Sequence, residues 1–320
     1  MAGFHVEARA FRAGDEELLL AGMERAARAA GGGPRRELAE LRWRYGAAPH
    51  GACVALALDE HGEPLAGVCA TRHRARLEGR ECFWLEVGDL FNDFARGAGL
   101  ARTCPLLAAG KAFAEAFGGF APEKHPLMYG LPDRRAHRLG LRHLDWEVLR
   151  SENELVLAAR APAAPADVTI EELRSFPAEV ERAFPGWAAE RPAVLVRDAA
   201  YLNWRYVEGP GQHNALALAR RGSEPVGHAV LGGGQLLDWG APPADGPVVH
   251  ALLAWARARA GKAPLTAVVP DSAPEWLLFQ RLGFRVRGTR EYLCFRSFQR
   301  PAIMSWLYQH WSYSRGDTLR

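Results

Sequence analysis

The sequence predicts a mixed α/β protein, an α+β arrangement with a mixed sheet, made of two tandem copies of one unit. Three observations lead there. Trp-Arg-Tyr occurs twice, in "LRWRYGAAPHG" from Leu41 and in "LNWRYVEGPGQ" from Leu202, with Trp43 and Trp204 standing 161 residues apart (204 less 43). Glu63-Pro64 and Glu224-Pro225 repeat at the same spacing, each in a polar turn between two strand-like runs. A closing segment repeats as well: "HRLGLRHLDWEVL" (His137–Leu149) matches "QRLGFRVRGTREYL" (Gln280–Leu293), at an offset of 143 (280 less 137).

The elements follow in order. In the first unit a helical run ends at Trp43–Tyr45. The strands "CVALALD" and "LAGVCAT" come next, around the turn "DEHGEP". "RECFWLEVGDLF" (Arg80–Phe91) is a long strand, and "NDFARGAG" leads out of it. In "LARTCPLLAAGKAFAEAF" the residues Leu100, Cys104, Leu107, Ala114 and Phe117 recur at helical spacing. A strand "PLMYG", a short helix "PDRRAHRLG" and a strand "LDWEVL" close the unit.

The second unit repeats the hairpin with "ALALAR" and "VGHAVL" around "RRGSEP". It continues with the strand "QLLDWG" (Gln235–Gly240), a helix holding Val248, Val249, Leu252, Leu253 and Ala256, and the closing helix "APEWLLFQRLGF". "RAPAAPADV" (Arg160–Val168) reads as a short linker. The expected division is 1–160, 167–296 and a tail 297–320, whose early aromatics dock and whose polar end frays. The fall in offset means that roughly 18 residues are missing from the second copy. The Pro-rich turn after "DWG" is where the loss is expected. Trp-Arg-Tyr repeats because the unit repeats. Its expected work is structural: Trp and Tyr anchor a helix end on the sheet, and Arg pairs with a carboxylate or a carbonyl.

Composition sets limits. The 320 residues are 48% hydrophobic and 24% charged, which is globular and long enough for two domains. A net charge of +3 gives no basic surface for nucleic acid. Lys111, Lys124 and Lys262 are the only lysines, an arginine bias that reads as codon composition. Cys53, Cys69, Cys82, Cys104 and Cys294 are odd in number, hold no C-x-x-C pair and sit mostly in apolar runs. They read as small buried hydrophobes in a reducing compartment. His61 and His73 show no metal-ligand spacing, so no metal is expected. No apolar run approaches bilayer-spanning length, and the N-terminal stretch has no signal-peptide core. The expectation is a soluble cytoplasmic protein.

Arg96-Gly97-Ala98-Gly99 sits where a strand turns into a helix. The first N–H groups of a helix have no intrahelical partner and carry partial positive charge. Glycines let a ligand approach the backbone, so an anion such as a pyrophosphate fits there, with Arg96 adding charge. In this order of elements the first unit resembles the GNAT acetyltransferase superfamily, whose R-G-x-G-[IL] loop cradles the pyrophosphate of acetyl-CoA. The matching residues are Arg96, Gly97, Ala98, Gly99 and Leu100, followed by Ala136, Leu139, Gly140 and Leu141 of the closing helix. The resemblance implies two tandem GNAT-like units, the first with an intact acetyl-CoA loop and the second degenerate. It departs at Phe94, where the family's loop often begins with Gln or Arg, and at Ala136, where the family often has a tyrosine.

What the resemblance implies for chemistry is an N-acyltransferase acting by direct attack of a primary amine on acetyl-CoA or another acyl-CoA. The amine must lose a proton first. Asp89 is the preferred base, being nearer the end of its strand. Glu86 is the alternative, because alternation puts the two on opposite faces unless a bulge swaps them. Backbone N–H groups at Leu90 and Phe91 are candidates to meet the thioester carbonyl. Tyr129 or His137 could protonate the leaving thiolate in place of the missing tyrosine, and so could water. The second unit would form one wall of the acceptor cleft. The alternative is a non-catalytic acyl-CoA-binding or scaffold protein with both units inactive. The acceptor is a small-molecule or peptide amine, without nucleic acid or a membrane span, and neither its identity nor the oligomeric state is set by the sequence.

Overall fold

Why two copies of a unit should share one chain is answered by how their strands pair. The structure is a computed structural model and describes residues 3–29, 31–32, 36–93, 104–158, 165–242, 245–298 and 303–318. The first half runs β1 (Phe4–Ala10), α1 (Asp15–Ala29), α2 (Leu38–Leu41) continued by a π-helical turn (Arg42–Gly46), β2 (Ala52–Asp59), β3 (Pro64–Leu77), β4 (Arg80–Asn92), α3 (Pro105–Phe117), β5 (Leu127–Gly130), α4 (Arg134–His143) and β6 (Glu147–Leu157). The second runs β7 (Thr169–Leu173), α5 (Val180–Ala188), β8 (Ala193–Leu195), α6 (Ala199–Tyr206), β9 (Ala215–Arg221), β10 (Glu224–Gly232), β11 (Gln235–Gly240), α7 (Gly246–Arg259), β12 (Leu265–Val268), α8 (Glu275–Arg281) and β13 (Arg285–Ser297). The tail adds α9 (Ile303–His310), β14 (Trp311–Ser312) and a 3₁₀ turn (Arg315–Asp317).

Among the described residues all fourteen strands belong to one sheet, whose main path is β1-β2-β3-β4-β5-β13-β6-β12-β11-β10-β9-β7. Each half has handed its last strand to the other. β13, from the second half, pairs antiparallel with β5 through Cys294↔Gly130 and Phe295↔Tyr129. β6, from the first half, pairs with β12 through Leu265↔Leu157 and Ala267↔Leu155. The two exchanged strands then pair with each other in the middle.

Burial follows the alternation of the strands. In β2 every residue is buried, as a continuous apolar run covered on both faces must be. Val54, Leu56 and Leu58 pack with Leu19 of α1, while Cys53, Ala55 and Ala57 pack with Leu106, Ala109 and Phe113 of α3. The second half builds its own layer under α7 and α8, with Leu155 and Leu157 of β6 inside it. The largest cluster belongs to both halves and to the tail: Trp84, Tyr129, Leu202, Trp204, Phe295 and Trp311 share it.

Two expectations need correcting. The length missing from the second copy is not all in the turn after "DWG". β3 and β4 have 14 and 13 residues where β10 and β11 have 9 and 6. The extra length of the first hairpin has work to do, since Ala75–Leu77 pairs with β8 of the second half. The tail also stays packed past its aromatics, as far as Asp317. β14 pairs with β8, and Ser314, Gly316 and Asp317 are buried. Asp317 closes a capping box with Ser314 and donors from Arg197 and Tyr201.

Candidate active site

β4 and β5 run parallel for only two pairs, Leu85↔Met128 and Glu86↔Tyr129. Gly130 explains the apex: a Cβ there would stand 2.7 Å from the Val87 carbonyl oxygen, so only glycine lets the strands come this close. Beyond it β4 runs on to Asn92 while β5 ends, and the strands part. β4 is also bulged at this point. Cys69 of β3 pairs with Asp89 and Ala70 with Val87, which leaves Gly88 unpaired between them. Between the parted strands lies a cavity of about 670 Å³, lined by Val87–Asn92 of β4, by α3 and α4, and by Arg36.

The bulge decides where the two candidate carboxylates point. Glu86 pairs with Thr71 and Asp89 with Cys69, so both face the α1–α2 side of the sheet. Asp89 lines the cavity. Its Oδ1 accepts from Arg36 at 3.1 Å, and its Oδ2 accepts from Tyr45 at 2.7 Å and Arg44 at 3.3 Å. Gly88 makes room for this cluster, because a Cβ there would meet Arg44 Nη2 at 2.7 Å and the Tyr45 hydroxyl at 2.9 Å. Glu86 is buried deeper and is not on the cavity. Arg205 of the second half holds it in a fork, at 2.8 and 3.3 Å, and His73 Nε2 lies 2.9 Å away. Burial would raise the Glu86 carboxyl, but the Arg205 guanidinium and the His73 ring outweigh it and hold it well below the usual carboxylate range. Burial keeps the His73 ring below its ordinary value despite that carboxylate.

The remaining candidates are placed as follows. Tyr129 is fully buried and points away from the cavity, which its neighbours Met128 and Gly130 line. Its ring packs on Trp84 and Trp311, and its hydroxyl has no hydrogen-bond partner among the described residues. Burial pushes that hydroxyl well above the usual tyrosine value. Leu90 and Phe91 both line the cavity. Leu90 packs on the α3 side and Phe91 on the α1 side, against Gly22 and Gly67, where a Cβ would come within 2.4 Å of its ring. Arg96, Gly97, Ala98, Gly99 and Leu100 lie outside the described residues, as does Phe94. Ala136 and His137 line the cavity from α4. His137 stacks on Tyr292 of β13, with ring centres 5.0 Å apart, and its Nε2 is buried without a hydrogen-bond partner among the described residues.

Sequence reasoning missed Arg36 and the fact that part of the cluster is duplicated: an arginine, a tyrosine and a carboxylate recur, while Arg205, the counterpart of Arg44, goes to Glu86. Arg197 stands 161 residues after Arg36, the spacing of the Trp-Arg-Tyr pair. In the second half Arg197 Nε and the Tyr206 hydroxyl donate to Asp238, at 3.2 and 2.7 Å. The bulge recurs too: Val230 pairs with Asp238 and Leu231 with Leu236, leaving Leu237 where the first half has Gly88. Burial would raise the Asp238 carboxyl, but Arg197, His228 and Tyr206 hold it below the usual range. Here the cluster is closed. Asp238 is fully buried, and the tail brings Asp317 onto the same Arg197. The spacing of 161 was the signal that could have found Arg36.

Acyl-CoA, which the resemblance of the first unit implies, would meet an apolar cleft. Its long pantetheine arm would need an apolar floor, and Leu106, Phe113, Met128 and Leu139 supply one beside the edge of β4, which has no strand partner on that side beyond Glu86 among the described residues. Among the described residues no group of three His, Cys, Asp or Glu stands where it could hold a metal ion. Nor is any described helix long and apolar enough to cross a membrane.

No family profile matches the chain, and no curated protein matches it. Solved structures do. A protein of Enterococcus faecalis, described as a probable N-acyltransferase, superposes with a TM-score of 0.64 at 14% identity, covering 92% of this chain and 73% of the other. A GCN5-related N-acetyltransferase of Anabaena variabilis gives 0.65 at 10% identity, with the same 92% and 73%. A tandem GNAT protein from the clavulanic acid biosynthesis pathway gives 0.51 at 13% identity, over 93% of this chain and all of the other. With the splayed β4–β5 cleft, the repeated bulge and these likenesses together, the chain has the fold of the GCN5-related N-acetyltransferases, built as two GNAT-like units in tandem within a single sheet.

Proposed function

We propose that the protein is a CoA-dependent N-acyltransferase that moves an acyl group, most simply acetyl, to a primary amine, with the first half as the active one. The observation that carries this reading is the cleft between β4 and β5, opening at a bulge with a carboxylate at its side. Acyl-CoA would supply the activated thioester. Arg96–Leu100 would hold its pyrophosphate on backbone N–H groups and the Arg96 charge. The free edge of β4 at Leu90 and Phe91 would offer N–H groups to the carbonyl oxygen. Asp89 is the proposed base, since of Asp89, Glu86 and Tyr129 it alone lines the cavity. β13 lends the cavity Arg290, Glu291 and Cys294, which supports the second half as a wall of the acceptor cleft.

One observation favours a second reading, an acyl-CoA-binding protein without catalysis. Both oxygens of Asp89 already accept from Arg36, Arg44 and Tyr45, and an arginine and a tyrosine likewise hold Asp238, in a half whose sequence has no R-G-x-G loop. A base needs a lone pair for the amine proton. Release of free thiol from acetyl-CoA, screened over amines, separates the two. On the first reading Asp89→Asn lowers turnover by about 10²–10⁴-fold with little change in acetyl-CoA affinity. Thiol release from no amine at all, by a protein that binds acetyl-CoA, would establish the second.

A further inference from the structure

Arg290 reaches the first-half cavity from the second half of the chain. It does so through a second bulge, in β13. Gly288 pairs with Asn153, and the next pair is Tyr292 with Ser151, so Thr289, Arg290 and Glu291 stand opposite Glu152 alone. The bulge is pinned on every side. Thr289 Oγ1 donates to the Glu152 carbonyl at 2.7 Å, and the Glu291 N–H donates to Thr289 Oγ1 at 3.2 Å. Arg315 of the tail donates to Glu291 at 2.6 Å, and Tyr292 stacks on His137. A bulge held like this re-aims a side chain, here the guanidinium of Arg290, toward the cavity.

Two other charged residues at the cavity are engaged. Arg36 is shared between Asp89 and Glu40, and Glu291 is taken by Arg315. Arg290 is exposed and has no acidic partner among the described residues. Arg134 and Arg135 also line the cavity, but they stand in the exposed first turn of α4, beside the capping Asp133. A guanidinium fork matches a carboxylate with two parallel hydrogen bonds.

We propose that the cavity takes a substrate bearing a carboxylate and that Arg290, supplied by the exchanged strand, recognises it. The assignment rests on the transferase reading above. The carboxylate belongs either to the acceptor, as in an α-amino acid, or to the far end of a dicarboxylic acyl chain. The full-length protein and its Arg290→Gln variant are compared by calorimetry and thiol release. One arm sets α-amino acids against the corresponding decarboxylated amines, with acetyl-CoA present. The other sets succinyl-CoA against acetyl-CoA. The expected result is a carboxylate preference of about tenfold to a hundredfold in one arm. It should be lost in Arg290→Gln, partly kept in Arg290→Lys, and untouched in Arg134→Gln. Affinity for free CoA should be equal in all of them. No preference in either arm overturns the proposal, and so does a preference that survives Arg290→Gln. A fall in free-CoA affinity in Arg290→Gln overturns it too, by assigning the residue to the phosphates. Failure of the wild-type protein to bind any acyl-CoA would instead remove the transferase reading, and this assignment with it.

Discussion

Trp43 and Trp204 each donate the indole N–H to the other's main-chain carbonyl, at 2.7 and 2.9 Å, with their rings stacked 5.5 Å apart. The repeated tripeptide therefore meets itself where the two halves join. Each carbonyl belongs to the last turn of its helical run and lacks an intrahelical partner. Trp204→Phe keeps the aromatic bulk but strands a carbonyl, and should cost about 1–3 kcal/mol. Trp43→Phe should cost a similar amount. The double variant should lose clearly less than the two single losses added, because the bonds act as one reciprocal unit. Urea unfolding at one pH measures all three. Simple additivity would mean that the two tryptophans act independently.

Arg205 is the second residue of that tripeptide, and it crosses to the first half to hold Glu86. Both side chains are almost fully buried. Arg205→Met leaves the buried Glu86 carboxylate beside His73 without its guanidinium and should cost about 3–5 kcal/mol. Glu86→Gln on top of Arg205→Met should recover part of that loss, since the stranded charge is gone. No recovery in the double variant would show that the cost lay in packing of the arginine stem and not in the charge.

How much of this was legible in the sequence depends on what each feature rests on. The tandem unit was legible because the 161-residue spacing recurs at rare residues. The exchange of β6 and β13 was not, because both strands carry the same pattern and either could close either half. Arg44 and Arg205 were expected to pair with a carboxylate or a carbonyl, and both take carboxylates. Which carboxylates could not be read, since Leu237 stands where Gly88 leaves room for Arg44, and Arg205 goes across the interface instead. The faces of Glu86 and Asp89 turned on the bulge. Its one local sign was a glycine inside a strand pattern. The loss of length in the second copy was put in one loop because an offset counts missing residues without locating them.

Gly88→Ala tests that bulge. The added methyl would stand 2.7 Å from Arg44 Nη2 and 2.9 Å from the Tyr45 hydroxyl, both buried and both bound to Asp89. The cluster must shift, at a cost of about 1–3 kcal/mol. On the transferase reading, thiol release should fall at least about tenfold, since Asp89 is displaced at the cavity wall. Affinity for free CoA should fall far less. Unchanged stability and turnover would mean that the Arg44–Asp89 contact is not needed where it stands.

Glu152 gives the protein a dependence on pH. It lies on β6, is 2% exposed, and accepts the Tyr313 hydroxyl at 2.8 Å, so it ties the tail to the sheet. Burial pushes its carboxyl up from 4.5 to about 7, and the Tyr313 hydrogen bond and Arg150 only partly offset this. The folded protein therefore holds this proton more tightly than the unfolded chain does. Stability from this group is complete below about 4.5 and is lost as pH rises through about 7. Glu152→Gln cannot titrate, keeps an acceptor for Tyr313 and fills nearly the same volume. Between pH 5 and pH 8 the variant should gain on the wild type by about 1–3 kcal/mol, and from pH 8 to pH 9 the gap should stay level. Urea midpoints for both proteins at these three values provide the measurement. A gap that stays constant from pH 5 to pH 8 would mean that Glu152 is already ionised when folded, with Arg150 and Arg315 outweighing its burial.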